Sequence, residues 1–277
     1  MLRELPHLEF LPIEQLLIHE WHDPHRTPPL IKRIRESGIW RNPPVVAPLP
    51  DQSQRYMVLD GANRFTALQE MGFQDILVQV IAPDSQGLRL HTWNHVVWQM
   101  DLTLFSRNVQ SIPNTELSAA SEGIEPDLFG DCGIALIQYP NGQVKALCTD
   151  AEQILDRVEI LNSLVNSYKS HGHLDRTSVR DIHDLHGVYE NLCGLVIFPV
   201  FEITDILKLA GAGHLLPTGI TRFTIAPRAL HLNYPLEELE NQKPLAQKNF
   251  KLRQWLQERI ANKGIRFYAE PTFLFDE

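Results

Sequence analysis

Apolar residues change their spacing several times along the 277-residue chain, and each change marks an element. Residues 6–20, PHLEFLPIEQLLIHE, open with a short apolar run and a turn. From 26 to 38 the spacing becomes helical. Leu30, Ile31 and Ile34 form one stripe, Thr27 is placed to cap it, Pro28 to take the first helical position and Gly38 to end it. PPVVAP (43–48) and YMVLD (56–60) are short β runs separated by a polar loop at 50–54. A second helix follows, with Phe65, Leu68 and Met71 at three-residue spacing and Gly72 as its stop. DILVQVI (75–81) is the next strand, PDSQG (83–87) a turn, and LHTWNHVVWQM (90–100) reads as a helix.

From 107 to 130 the chain is polar and irregular, which places a boundary there: an α/β unit over 1–106 and a second α+β unit over 107–277. In the second unit, IALIQYPNGQVKALC (134–148) is a hairpin centred on Asn141-Gly142. Residues 149–168 carry the clearest helical stripe, through Ile154, Leu155, Val158, Leu161, Leu164, Val165 and Tyr168. GLVIFPV (194–200), ITRFTIAP (220–227) and IRFYAE (265–270) are further strands.

Composition narrows the function classes. Hydrophobic residues are 43% and charged residues 21% of the chain, as in a folded globular protein. The net charge of −9 gives no general attraction to DNA or to an anionic membrane, so a bound anion would need a local cluster of donors. No 18-residue apolar run is present, and MLRELPHLEF lacks a signal-peptide pattern. Three cysteines, an odd number and far apart, argue against disulfides and for a reducing cytoplasm.

Three stretches could carry chemistry. In VLDGANRF (58–65) a strand turns on a glycine into a helix, so backbone N–H groups and the helix dipole point outward together. Gly61 permits close approach of a phosphate, and Arg64 adds a forked cationic donor. Two roles are open for Asp60: a helix cap, or a ligand for Mg²⁺ beside the bound anion. In LIHEWHDPHR (17–26), Glu20 lies between Leu17-Ile18 and Trp21, where partial burial suits a carboxylate to act as a base. His19, His22 and His25 recur at every third position without a metal-site motif. In LLPTGITRF (215–223), a turn at Pro217-Thr218-Gly219 leads to Thr221 and Arg222, which could hold a carboxylate or phosphate or be an ordinary turn and strand. Trp93 and His95 could line a cleft, and the His-rich stretch 171–187 reads as solvated surface.

Together these stretches resemble the ParB/sulfiredoxin-like fold, in which a strand-to-helix box binds nucleotide phosphates. The box here is Asp60-Gly61-Ala62-Asn63-Arg64, and no cysteine precedes Cys132, so sulfiredoxin chemistry is excluded. The chain is most similar to the free L-serine kinase branch, through His19-Glu20, Tyr56 to Phe65, and Pro217 to Arg222 in that order. It departs from that branch at Asn63, where the family usually has His. The resemblance implies phosphoryl transfer from ATP or ADP, with Mg²⁺, to the hydroxyl of L-serine. It implies Glu20 as the base, Gly61, Ala62, Asn63 and Arg64 as the phosphate cradle, and Asp60 as a metal ligand or aligner of the nucleophile. Trp93, Thr218, Thr221 and Arg222 would hold the amino-acid head. The other readings are a non-catalytic ParB-like nucleotide-binding regulator and a kinase for another small hydroxyl substrate. DNA is disfavoured as a partner by the acidic balance, with IKRIR (31–35) as the one notable basic run.

Overall fold

The computed structural model of the chain describes residues 5–21, 24–120, 126–127 and 132–268. In chain order the first half contains β1 (His7–Pro12), β2 (Leu16–Leu17), α1 (Thr27–Ser37), β3 (Ile39–Trp40), β4 (Val45–Pro48), β5 (Tyr56–Asp60), α2 (Ala62–Glu70), β6 (Asp75–Val80), β7 (Leu88–Thr92), β8 (Asn94–Trp98) and α3 (Leu102–Gln110). The second contains β9 (Glu116–Ala119), β10 (Gly133–Gln138), β11 (Val144–Cys148), α4 (Ile154–Lys169), β12 (His173–Thr177), β13 (Leu192–Ile197), α5 (Ile203–Gly211), β14 (Thr221–Ile225), β15 (Tyr234–Pro235), α6 (Leu236–Glu240) and α7 (Leu245–Ala261).

The result is a mixed α/β architecture with two main sheets. One has the order β1-β6-β4-β5-β2 and the other β12-β8-β13-β10-β11-β9. Two small ribbons, β14-β7 and β15-β3, tie the C-terminal half to the N-terminal half. The first sheet is buried on both faces, and its alternation sorts the side chains. Val45, Ala47, Met57 and Leu59 enter one core with α4, α5 and the second sheet, while Val46 and Val58 enter another with Phe65, Leu68, Trp40 and Leu252. Helix α7 closes that second core against edge strand β1. Asn249 donates to Phe10 O (3.1 Å) and accepts from Phe10 N (2.8 Å), satisfying an edge that would otherwise stay open. Lys248, almost fully buried, pairs with Asp75 at 2.8 Å beside it. Among the described residues no helix is long and apolar enough to cross a membrane.

Several expectations need correction. Residues 90–100 are not helical but hold the end of β7 and all of β8. Asn94, His95, Val96 and Val97 are all buried, so this stretch has no polar face to reveal a period of two. β8 pairs with β12 and β13 of the second sheet. The span 107–130 is not wholly irregular, since α3 runs to Gln110 and β9 follows. Thr27 lies inside α1 with Arg26 at the cap position, whereas Gly38 ends the helix with φ +60° as expected. Leu155 in α4 is exposed. Residues 265–268 have no regular structure, and 269–270 lie outside the described residues. Cys132 and Cys148 form a disulfide, with Cα atoms 4.9 Å apart, where free thiols were expected. The hairpin explains the pairing, because its register sets Gly133 opposite Cys148.

Candidate functional site

Short strand β2 runs parallel to β5, with Leu16 opposite Tyr56 and Leu17 opposite Met57. The chain leaving β2 is captured by the segment before β14: Leu216 N donates to His19 O (2.8 Å), and Trp21 N donates to Leu216 O (3.0 Å). Glu20 is thereby set against the turn at 217–221. Its Oε2 accepts from Gly219 N–H at 2.8 Å, and its Oε1 accepts from both the Thr221 N–H and the Thr221 hydroxyl at 2.5 Å. A carboxylate offers about four lone-pair sites. The two N–H donors take one on each oxygen, the Thr221 hydroxyl takes a second on Oε1 when its hydrogen turns to Glu20, and Oε2 keeps one open.

His19 supports this arrangement from beneath. It is buried, with Nδ1 2.9 Å from Val58 O and Nε2 2.7 Å from Thr221 Oγ1. A carbonyl can only accept, so Nδ1 carries the hydrogen. Burial lowers the His19 pKa, opposed in part by the nearby Glu20 charge. The single hydroxyl hydrogen of Thr221 thus faces two acceptors, Glu20 Oε1 and His19 Nε2.

His95 lies under the same turn. Its Nε2 is 3.2 Å from Gly219 O, and its Nδ1 is 2.8 Å from the Tyr168 hydroxyl. Burial pushes its pKa down to about 3, so it is neutral, donating to Gly219 and accepting from Tyr168. Gly219 itself takes φ +78°, a conformation open to glycine at little cost. The cleft role expected of His95 is therefore replaced by support of the turn.

Trp93 and Arg222 come together. The pairing of β14 with β7 sets Thr221 opposite Thr92 and Arg222 opposite His91. The Arg222 guanidinium lies 4.2 Å from the centre of the Trp93 ring, a cation–π stack. Thr218 is placed differently. Its hydroxyl accepts from Lys169 Nζ at 3.3 Å, and both line a cavity of about 200 Å³ with Trp21, Asn162, Asn166 and Pro217. Lys169 was not singled out from the sequence, where it is one lysine at the end of a helix.

The expected phosphate box has the backbone its sequence requires. β5 ends at Asp60, Gly61 takes φ +94° and α2 begins at Ala62. The first helical bond runs from Phe65 N to Gly61 O, leaving the earlier amides without acceptors inside the helix. Asp60 does not cap α2, because Gly61 holds that position without a side-chain bond. Instead Asp60 Oδ2 accepts from Arg64 Nη2 at 3.0 Å and from Arg228 Nη2 at 2.5 Å. A Cβ on Gly61 would lie 2.7 Å from Arg64 Nη2 and 3.1 Å from Pro44 Cα. Any side chain there would collide with the folded-back arginine and strain the backbone. Asn63 Oδ1, Arg64 Nε and Arg228 Nη1 are buried without a partner. Polar atoms in that state are costly, and three of them gather around this box.

Among the described residues there is no group of three or more His, Cys, Asp or Glu able to hold a metal ion. Of the spaced histidines, His19 is committed to Val58 and Thr221, and His22 lies outside the described residues.

No family model matches the chain. The ATP-dependent L-serine kinase SbnI of Staphylococcus aureus (strain NCTC 8325 / PS 47) is 25% identical over 279 residues, spanning 98% of either chain. Among solved structures, SbnI with a C-terminal truncation from Staphylococcus aureus superposes with a TM-score of 0.71 at 23% identity, covering 94% of this chain and 98% of that one. A variant of free serine kinase in complex with ADP superposes with a TM-score of 0.69 at 17% identity, covering 86% of this chain and 95% of that one. The resemblance to the free L-serine kinase branch thus holds along almost the whole chain, in sequence and in fold.

Proposed function

We propose that this protein is an ATP-dependent L-serine kinase, forming O-phospho-L-serine and ADP. The observation that carries the reading is the placement of Glu20. A glutamate from the first half is gripped by three donors of the Gly219–Thr221 turn, and it follows the strand beside the one that ends in the phosphate box. The base, the acceptor-binding segment and the anion cradle are then neighbours.

In this mechanism the serine hydroxyl loses its proton to the open lone pair of Glu20 Oε2. Its oxygen forms the new P–O bond as the bond between the transferred phosphorus and the ADP oxygen breaks. The Gly219 and Thr221 donors orient the carboxylate, and His19 orients Thr221. The free amides of Ala62 to Arg64 and the Arg64 guanidinium hold the nucleotide phosphates. Arg222, held over the Trp93 ring, receives the serine carboxylate. Thr218, with Lys169, borders the acceptor cavity. Phosphoryl transfer needs positioning and charge neutralisation more than covalent help from the protein, so this set of groups is sufficient.

The residues present offer Mg²⁺ one oxygen beside two arginines, so the ion would enter only together with the nucleotide phosphates. Both arginines use Asp60 Oδ2 and leave Oδ1, and Mg²⁺ characteristically takes one or two carboxylates together with substrate phosphates. Bound there by Asp60, it would neutralise developing charge on the phosphates. The first unit corresponds in this reading to the ParB/sulfiredoxin-like nucleotide fold, and the segment from 107 onward supplies the acceptor side together with Trp93.

The test is to incubate the purified protein with ATP or ADP, Mg²⁺ and L-serine and to follow products by mass spectrometry. O-phosphoserine and ADP in equal amounts from ATP are expected. Nucleotide binding without phosphoserine from either donor would leave a regulator, not a kinase.

A further inference from the structure

Arg228 lies in a loop without a recognisable motif, yet it reaches the phosphate box from the far half of the chain. The loop is tied down on both sides of it. Gln79, 98% buried in β6, donates from Nε2 to Pro227 O (2.9 Å) and accepts at Oε1 from Ala229 N–H (2.9 Å). Ala226 N donates to Gly87 O (2.8 Å), where a Cβ on Gly87 would lie 1.8 Å from Ala226 O. His231 N donates to Asn42 Oδ1 (2.8 Å), and Leu232 N to Arg41 O (2.7 Å). A glutamine side chain spent on the two residues flanking one arginine holds that arginine in place.

The arginine it holds shares a single carboxylate oxygen with Arg64. Two guanidinium groups on one carboxylate leave a local excess of positive charge in a chain whose net charge is −9. Arg228 Nη1 and Arg64 Nε are both buried without a partner. Desolvation penalises the Arg228 charge, and the Asp60 carboxylate offsets this. An anion with several oxygens, presented at the amides of Ala62 to Arg64, would meet both unfilled donors at once.

We infer that Arg228 is a second phosphate-binding arginine of the nucleotide site, positioned by Gln79, and that the Asp60 carboxylate holds both arginines ready until a phosphate takes them over. The proposal rests on the kinase reading for the identity of the anion, a nucleotide phosphate. It does not depend on turnover.

The test is calorimetry with ATP in EDTA. In Arg228→Ala, ATP affinity should fall about tenfold or more, the scale of a lost charge-assisted bond. Gln79→Leu should weaken binding in the same direction, and the double variant should lose little beyond Arg228→Ala alone, which a merely structural glutamine would not produce. Asp60→Asn frees both guanidinium groups and should bind metal-free ATP more tightly than wild type. Unchanged ATP affinity in Arg228→Ala with a lowered melting temperature would make the ion pair structural and overturn the proposal. If Arg228→Ala fails to fold, Asp60→Asn decides, and equal or weaker binding overturns it. Wild type that binds ATP without making phosphoserine would sink the kinase reading and leave this one standing. Wild type that binds no ATP would sink both.

Discussion

Glu20 follows β2 and Asp60 ends the neighbouring parallel strand β5, yet their surroundings are opposite in kind. Glu20 is held by neutral donors, two backbone N–H groups and a hydroxyl, with one lone pair left open. Asp60 is held by two full positive charges on one oxygen. Neutral donors orient a carboxylate without placing a charge beside it. Two guanidinium groups meet on Asp60 Oδ2, which ties both donors to one place and leaves Oδ1 open. In the proposed reaction the same functional group serves as base in one place and as charge organiser in the other, and the neighbours assign the roles.

This contrast can be broken at several points. The largest effect after the base itself belongs to the phosphate side. Arg64→Ala should weaken nucleotide binding by about 1.5–3 kcal/mol, roughly 10- to 150-fold, as read by calorimetry. Serine KM should stay within about twofold, since Arg64 bonds only on the Asp60 side. On the acceptor side, Arg222→Ala should raise serine KM about tenfold and leave the ATP KM nearly unchanged, by steady-state kinetics. Equal rises in both would show that the Trp93–Arg222 stack shapes the fold and does not read the acceptor.

The smallest effect concerns pH and stability. His19 and His95 both have folded-state pKa values below the unfolded value of about 6.5, because burial disfavours their charged forms. The unfolded chain therefore binds more protons as pH falls below that value. The stability contributed by the neutral histidines is complete above about pH 6.5 and is lost as pH falls toward the folded-state value, about 3 for His95. Melting temperatures measured between pH 7.5 and 5 should decline, and His95→Gln should show a shallower slope. A slope unchanged in that variant would remove His95 from the account.

Local backbone chemistry was legible in the sequence, and contacts between distant parts of the chain were not. The box at 58–65 could be read because a strand end, a positive-φ glycine and a helix start leave marks within eight residues. The helix at 154–169 and the hairpin at 133–148 were visible for the same reason. Arg228 was invisible, since its partner lies 168 residues away and nothing around it in PRALHLN signals an anion site. His95 was misplaced because a strand buried on both faces has no alternation, so a helix fitted its apolar residues equally well. The Cys132–Cys148 pair was not legible either. Counting the hairpin outward from Asn141-Gly142 sets Cys148 opposite Ile134, and only the bulge between Gly133 and Ala135 shifts the register so that Cys132 reaches Cys148.

In the proposed reaction Glu20 takes the proton from serine. The most direct test of that step is the single-turnover rate of phosphoserine formation by Glu20→Gln, with saturating ATP, Mg²⁺ and serine, beside its ATP affinity by calorimetry. The amide keeps the shape of the side chain and removes its basicity. The expected rate is lower by about 10²–10⁴-fold, with ATP affinity changed less than about threefold. A Glu20→Gln protein that keeps most of the wild-type rate would contradict that step and pass the role of base to another group.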